Sequence, residues 1–440
     1  MLMKILSKRG TKWAKGICLC MAASLLGFGM AEAASPVGIR DVEAVTEVYG
    51  DGENLSAVVL SYEKPVKAAS VSLKDFTVPD RTIQRAYVST VAEKGGQEAA
   101  AGPYVILELV PLPMVEQGME AHSAEDRKEK EAKGFHGPVL GSSGYPHPLK
   151  TFSAWVRQKG KVKAVDGTVF GPSATLSSSH TRQLLIENFV QDTYVDPQQD
   201  GAKLQYNLFV PKQYDPQQSY PLVLFMHDAG AVSPEVKATL CQGRGAVVWT
   251  TPEWQAKHPC FVLAPQYDTV IVDDNYQYGP ELDRTIHLVE ELAGRYAIDH
   301  SRIYNTGQSM GGMTSIAMDV KYPDFFAASY LVACKWNAAV TAPLGRQNIW
   351  AVAAEGDPGA APSMAEILGN LEKDGARVER QTLDAGQNQK TVNEAAASLI
   401  RPDSHIYYTL YKGGSHRYTW QHAYDMLPAM EWIFQQRKNK

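Results

Sequence analysis

A serine framed by glycines, Gly307-Gln308-Ser309-Met310-Gly311-Gly312, is followed well downstream by Asp357 and His416. Together these are the groups that covalent acyl transfer uses: a hydroxyl nucleophile, an imidazole that takes its proton, and a carboxylate that holds the imidazole. Glycines on either side of the serine let a backbone turn sharply and keep side chains away from the reactive oxygen. By composition alone such a pentapeptide arises in roughly one chain in seven of this length. Its surroundings therefore decide its meaning.

The elements that must position these groups are legible around them. The apolar run Arg302 to Thr306 precedes the glycine-framed turn, and a helical pattern begins at Met313. A second apolar run, Ile349 to Ala354, leads into Glu355-Gly356-Asp357-Pro358, which puts Asp357 just past a strand; Glu355, Asp384 and Asp403 compete for the role of the acid. A third run, His405 to Leu410, leads to Lys412-Gly413-Gly414-Ser415-His416, where the glycines free the backbone to swing the imidazole over the sheet edge. Among the 11 histidines His416 is the base, and His422 falls at the start of the expected terminal helix. The order serine, acid, histidine along later strands is that of an α/β-hydrolase. Such a site also needs rigid backbone donors for the developing oxyanion. The amide of Met310 is one; the other is the amide of Ala229, on the loop His227-Asp228-Ala229-Gly230-Ala231 after the apolar run Pro221 to Met226. His227 is expected to pack and hydrogen-bond structurally beside this loop.

Three stretches resemble secreted bacterial α/β-hydrolase esterases with an N-terminal immunoglobulin-like domain, often labelled predicted peptidases. They are Tyr220 to His227, Gln255 to Gln266, and Arg302 to Gly312. The resemblance implies a carboxylesterase-like serine hydrolase without a cofactor. It also marks Trp336, after the strand that follows the nucleophile helix, as a substrate-binding residue, ahead of Tyr267, Tyr276, Tyr278 and Trp420. The family usually has glycine after the oxyanion-loop histidine, where this chain has Asp228; a carboxylate there would oppose an oxyanion unless it points away.

Residues 1–33 read as a signal peptide: Lys4, Lys8, Arg9, Lys12 and Lys15, then an apolar stretch to Met30, then Ala31-Glu32-Ala33. The stretch is short for a membrane span, and Cys18 and Cys20 fall at its start rather than its end, unlike a lipoprotein site. The expected localisation is secreted or periplasmic. Cleavage would move the formal charge from −5 to about −9, which argues against a nucleic-acid partner. No later segment has the length and apolarity of a membrane span. Cys241, Cys260 and Cys334 would remain, too few for a disulfide framework, with a Cys241–Cys260 bridge the one pairing left open. No Cys/His spacing suggests a metal site.

The chain of 440 residues divides by texture. Residues 34–181 carry short strand-like runs (Asp41 to Val48, Leu55 to Tyr62, Arg81 to Val88, Tyr104 to Val110, Phe152 to Val156) without helical periodicity, which predicts an all-β immunoglobulin-like sandwich. A charge-rich stretch between Glu116 and Lys133 reads as a solvated loop insertion. Residues 182–440 alternate strands with helices, the pattern of a mostly parallel sheet covered on both faces. Expected helices are Glu281 to Tyr296, Met313 to Lys321, Ser363 to Asp374 and Ala423 to Gln436; the connections Ala231 to Pro259 and Asp268 to Tyr278 are expected to shape the pocket wall.

The expected activity is hydrolysis of small-molecule carboxylic esters, short-chain or aryl. A serine peptidase or amidase with the same triad is the first alternative, and a non-catalytic binding protein on a hydrolase scaffold the second. The N-terminal domain is open to three roles: covering the active-site mouth, assembling a homo-oligomer, or tethering.

Overall fold

The computed structural model of the protein describes residues 38–112, 138–143 and 149–438. The signal-like segment and the charge-rich stretch lie outside the described residues.

The N-terminal strands are β1 (Ile39–Tyr49), β2 (Gly52–Lys67), β3 (Phe76–Thr77), β4 (Ile83–Ser89), β5 (Ala101–Leu109), β6 (Trp155–Gln158), β7 (Val162–Lys163), β8 (Val169–Phe170), β9 (Leu176–Ser177) and β10 (His180–Gln183). A five-stranded sheet in the order β10-β1-β2-β5-β4 faces a three-stranded sheet, β3-β6-β9, and the pair β7-β8. Val42, Ala44, Val58, Leu60, Val105 and Leu107 of the large sheet meet Phe76, Val156, Val162 and Phe170 of the small ones in one core. Alternate residues on each strand supply that core because side chains in a strand point to opposite faces. Tyr62 donates to Gln158 Oε1 at 2.6 Å across the layers, which satisfies a buried amide inside the sandwich. The expected break between residues 181 and 182 falls inside β10, whose Thr181 and Arg182 pair in parallel with Ala44 and Val45.

The second, larger sheet follows: β11 (Val190–Asp196), β12 (Ala202–Phe209), β13 (Tyr220–Met226), β14 (Phe261–Gln266), β15 (Ile298–Gln308), β16 (Ala328–Val332), β17 (Ile349–Ala354), β18 (Val378–Leu383) and β19 (Ile406–Tyr411). The nine strands lie in the order β11-β12-β14-β13-β15-β16-β17-β19-β18. Pairing is parallel from β14 through β18, whereas β12 runs antiparallel to both its neighbours. The helices are α1 (Ala238–Cys241), α2 (Arg244–Val247), α3 (Pro252–Lys257), α4 (Glu281–Arg295), α5 (Met310–Lys321), α6 (Ala360–Lys373), α7 (Gln389–Leu399), α8 (His416–Ala423) and α9 (Leu427–Phe434). β13 shows why the apolar runs are unbroken. Leu222, Leu224 and Met226 enter a core with α4, α5 and α6, while Val223 and Phe225 enter the opposite core with α7, α8 and α9. A strand buried on both faces has no polar side to alternate with.

Two helical expectations need correction. The segment Ala423 to Gln436 is not one helix: α8 ends at Ala423 and α9 begins at Leu427, with Pro428 in its first turn. Proline lacks the N–H and would clash one turn back, so a continuous helix is excluded and a fresh start is favoured. His422 accordingly lies in the last turn of α8 rather than at a helix start.

The β1–β2 turn reaches the helices that cover the nine-stranded sheet. A Cβ on Gly50 would lie 2.3 Å from the carbonyl oxygen of Gln421 in α8, and one on Gly52 would lie 3.1 Å from that of Cys241. Glycine is the residue that allows backbones to approach this closely. Cys241, Cys260 and Cys334 are all free thiols, so the Cys241–Cys260 pairing does not form.

Candidate active site

β15 delivers Ser309 and α5 begins at the next residue. Ser309 has φ 55° and ψ −119°, a conformation that a side-chain-bearing residue adopts only when its surroundings impose it. Those surroundings are the glycines. A Cβ on Gly307 would lie 2.4 Å from the Gly311 carbonyl carbon, and one on Gly311 would lie 1.9 Å from the Met226 carbonyl oxygen. The next glycine, Gly312, would meet Cys334 Cβ at 2.7 Å. The elbow is thus pressed between its own helix, the end of β13 and the end of β16.

Asp357 lies just beyond β17 and is 2% exposed. Its Oδ1 accepts the N–H groups of Gly359 and Ala360, each at 3.0 Å, and its Oδ2 lies 2.6 Å from His416 Nδ1. Burial alone would raise this carboxyl's pKa, but the hydrogen bonds from His416, Ala360 and Gly359 and the neighbouring imidazole outweigh it and hold the group below the usual carboxylate range. An ionised Asp357 accepts, so Nδ1 of His416 carries the proton and Nε2 is left with its lone pair. That Nε2 lies 2.8 Å from Ser309 Oγ.

The acid and histidine loops interlock. A Cβ on Gly356 would lie 2.0 Å from the Gly414 carbonyl oxygen, and Gly413 and Gly414 take φ 63° and 70°. Glu355, a competitor for the acid, instead accepts the Gly413 N–H at 2.9 Å, so it braces the histidine loop. Asp384 accepts from Gly386 N–H on the surface, and Asp403 is exposed. His416 itself opens α8, with Trp420 one turn on packed edge-to-face at 5.0 Å.

Met310 is the first residue of α5, so its N–H is among those that a helix start leaves without an intrahelical acceptor. Ala229 opens a short 3₁₀ turn on the loop after β13. His227 is fully buried, and burial pushes its pKa down. The neutral ring accepts the Tyr267 N–H at Nε2, 3.0 Å, and donates from Nδ1 to the Asp228 carbonyl, 2.8 Å.

Trp336 lies just beyond the end of β16. It is 4% exposed, packs edge-to-face on Tyr276 at 5.5 Å, and lines a cavity of about 370 Å³ with Tyr278, Ala317 and Lys321. Ser309 and His416 are not among the residues that line that cavity. The connection containing Tyr276 and Tyr278 does form a pocket wall, but of this cavity. Among the described residues there is no His/Cys/Asp/Glu group able to hold a metal ion, and no helix is long and apolar enough to cross a membrane.

Comparison with known proteins bears on both halves of the chain. Residues 41–171 match a family described as the esterase Ig-like N-terminal domain. Those residues form an esterase-type Ig-like domain. A solved thermostable esterase is 27% identical and superposes with a TM-score of 0.71, covering 91% of this chain and 100% of its own, so the similarity runs through both the Ig-like domain and the sheet domain behind it. More remote matches are a feruloyl esterase module from Clostridium thermocellum (15% identity, 55% of this chain, 87% of its own, TM-score 0.39) and a ferulic acid esterase from Anaeromyces mucronatus (13%, 55%, 91%, 0.37). A search of the curated proteins finds no match. The two-domain architecture, an Ig-like domain before a mixed sheet covered by helices, is therefore of the α/β-hydrolase esterase type.

Proposed function

We propose that the protein hydrolyses small-molecule carboxylic esters through an acyl-enzyme. Ser309 Oγ attacks the ester carbonyl as His416 Nε2 takes its proton, and Asp357 stabilises the imidazolium that forms. The tetrahedral oxyanion is met by the amides of Met310 and Ala229. Collapse expels the alcohol, protonated by His416; water, activated by the same imidazole, then releases the acid and restores Ser309. The reaction needs no redox or group-transfer cofactor. The signal-like order of residues 1–33 supports an activity outside the cytoplasm.

One observation carries the proposal: the continuous hydrogen-bond chain from Ser309 Oγ through His416 to Asp357, at 2.8 and 2.6 Å, on a serine held at positive φ. Similarity to a thermostable esterase over nearly the whole chain supports esters as the substrate class. The imidazole is 42% exposed, so substrate and water can reach it, while the carboxylate beneath is shielded. The test is Ser309→Ala on p-nitrophenyl acetate and butyrate, with the matched anilides alongside. Loss of at least about 10³ in kcat with an unchanged fold is expected. Retention of most activity would sink the proposal, and faster anilide than ester turnover in the parent protein would turn it toward an amidase.

A further inference from the structure

Asp228 places a carboxylate on the loop whose next residue donates to the oxyanion, a position where unscreened negative charge would oppose catalysis. Its partners give it a different part. Oδ1 accepts the Gly230 N–H at 2.7 Å, and Oδ2 accepts from Gln308 Nε2 at 3.1 Å. Gln308 immediately precedes the nucleophile and is fully buried. The same Nε2 donates to Gln242 Oε1 at 3.2 Å, and that oxygen also accepts Asp228's own N–H at 3.1 Å. Gln242 is fixed in turn by its Nε2, which donates to the Thr239 carbonyl at 3.1 Å.

The orientation of Gln308 is set by this arrangement. Its Oε1 is buried without a hydrogen-bond partner, which is costly. Turning the amide over would set that oxygen against Asp228 Oδ2 and Gln242 Oε1, acceptor against acceptors, so the side chain forgoes one bond to keep the others. Every polar atom of Asp228 is then held: N–H by Gln242, carbonyl by His227, and the carboxylate oxygens by Gly230 and Gln308. In a planar trans peptide the C=O and the following N–H point in opposite directions. Fixing the Asp228 carbonyl therefore fixes the direction of the Ala229 N–H.

We infer that Asp228, Gln242 and Gln308 form a positioning clamp that ties the oxyanion loop to the nucleophile elbow and aims the Ala229 amide before substrate arrives. The inference rests on the serine-hydrolase reading above. It makes Asp228 a residue that acts through Ala229, with its charge absorbed by two donors, and it assigns a task to Gln242, which sits outside the elbow and the oxyanion loop.

The test uses the full chain with Asp228→Ala, Asp228→Asn and Gln242→Leu. Three quantities are measured: kcat and KM on p-nitrophenyl butyrate, the inhibition constant of an alkyl trifluoromethyl ketone whose serine adduct carries the oxyanion, and the rate of fluorophosphonate labelling. Asp228→Ala and Gln242→Leu should lower kcat roughly 10- to 100-fold, as a displaced rather than deleted donor would. KM should stay within about twofold, and the inhibition constant should rise by the factor lost in kcat, because both read oxyanion binding. Asp228→Asn keeps an acceptor for Gly230 but sets its NH₂ against Gln308 Nε2, donor against donor, so it should recover only part of the loss and remain roughly threefold to tenfold slow. Unchanged kcat and inhibition in both Asp228→Ala and Gln242→Leu overturn the clamp. A rise in kcat in both Asp228 variants also overturns it, since the charge alone would then govern. Labelling keeps the two readings apart. If the parent protein labels but cleaves no ester, the substrate assignment fails, and the clamp stands or falls on whether the variants label more slowly.

Discussion

Replacing Asp357 by asparagine tests the chain of hydrogen bonds at its most buried link. Asp357 Oδ1 accepts two backbone amides at 3.0 Å, and Oδ2 faces His416 Nδ1 at 2.6 Å. An asparagine of the same shape keeps Oδ1 on Gly359 and Ala360, because turning it over would set an NH₂ against two N–H donors. Its NH₂ is then forced toward Nδ1. Two donors cannot share that contact, so the imidazole moves its proton to Nε2, the atom that must accept from Ser309 Oγ. The base is present but in the wrong tautomer. In a serine-protease triad that change costs about 10⁴ in kcat, equivalent to ~5.4 kcal/mol of transition-state stabilisation, and the same geometry here predicts a loss of that order. Stability should change little, because shape and two of the three hydrogen bonds persist. The assay is kcat/KM on p-nitrophenyl butyrate, with thermal unfolding on the same preparations. A loss smaller than about tenfold with an intact fold would refute the argument, because it would mean that Asp357 does not set the tautomer.

Gly356→Ala should separate the acid and histidine loops, since its Cβ would lie 2.0 Å from the Gly414 carbonyl oxygen, a backbone atom that cannot rotate away; kcat/KM and the rate of fluorophosphonate labelling should fall together by about 100-fold. Asp319, buried on α5, gives a pH prediction: burial pushes its carboxyl up to about 7 from 3.8, against the hydrogen bonds from Ser329 and Asn305. A folded pKa above the unfolded one means that folding takes up a proton between these values, so stability is fully present below about pH 4 and falls by ~1.4 kcal/mol per unit as pH rises toward 7. Asp319→Asn should flatten that slope in unfolding curves measured from pH 4 to 8; an unchanged slope would show that Asp319 is not its source.

Legibility in the sequence followed the range of the interactions involved. β13, β14, β16 and β17 were readable because burial on both faces leaves continuous apolar runs. The edge strands were not. β11, Val-Gln-Asp-Thr-Tyr-Val-Asp, is exposed along most of its length, and β18 alternates weakly; each is a strand because a neighbour supplies its hydrogen bonds. α7 is not marked by an apolar stripe, because only Val392, Ala396 and Leu399 face inward and alanines also stand on its outer face.

The sequence by itself determined the chemistry on offer. It set a serine that only glycine neighbours could leave in a left-handed elbow, the order in which acid and histidine follow, and the strand ends on which they stand, because these depend on backbone conformation and period, which are local. The tertiary structure decided among groups of equal chemistry. Asp357 rather than Glu355 faces the imidazole because the Gly356–Gly414 crossing sends one carboxylate beneath the histidine and the other to the Gly413 amide. Asp228 became a tethered side chain rather than a free charge because Gln308 and Gln242, remote from it along the chain, converge on it in space. Such choices belong to contacts between loops of different strands, and no local pattern in the chain encodes where those loops meet.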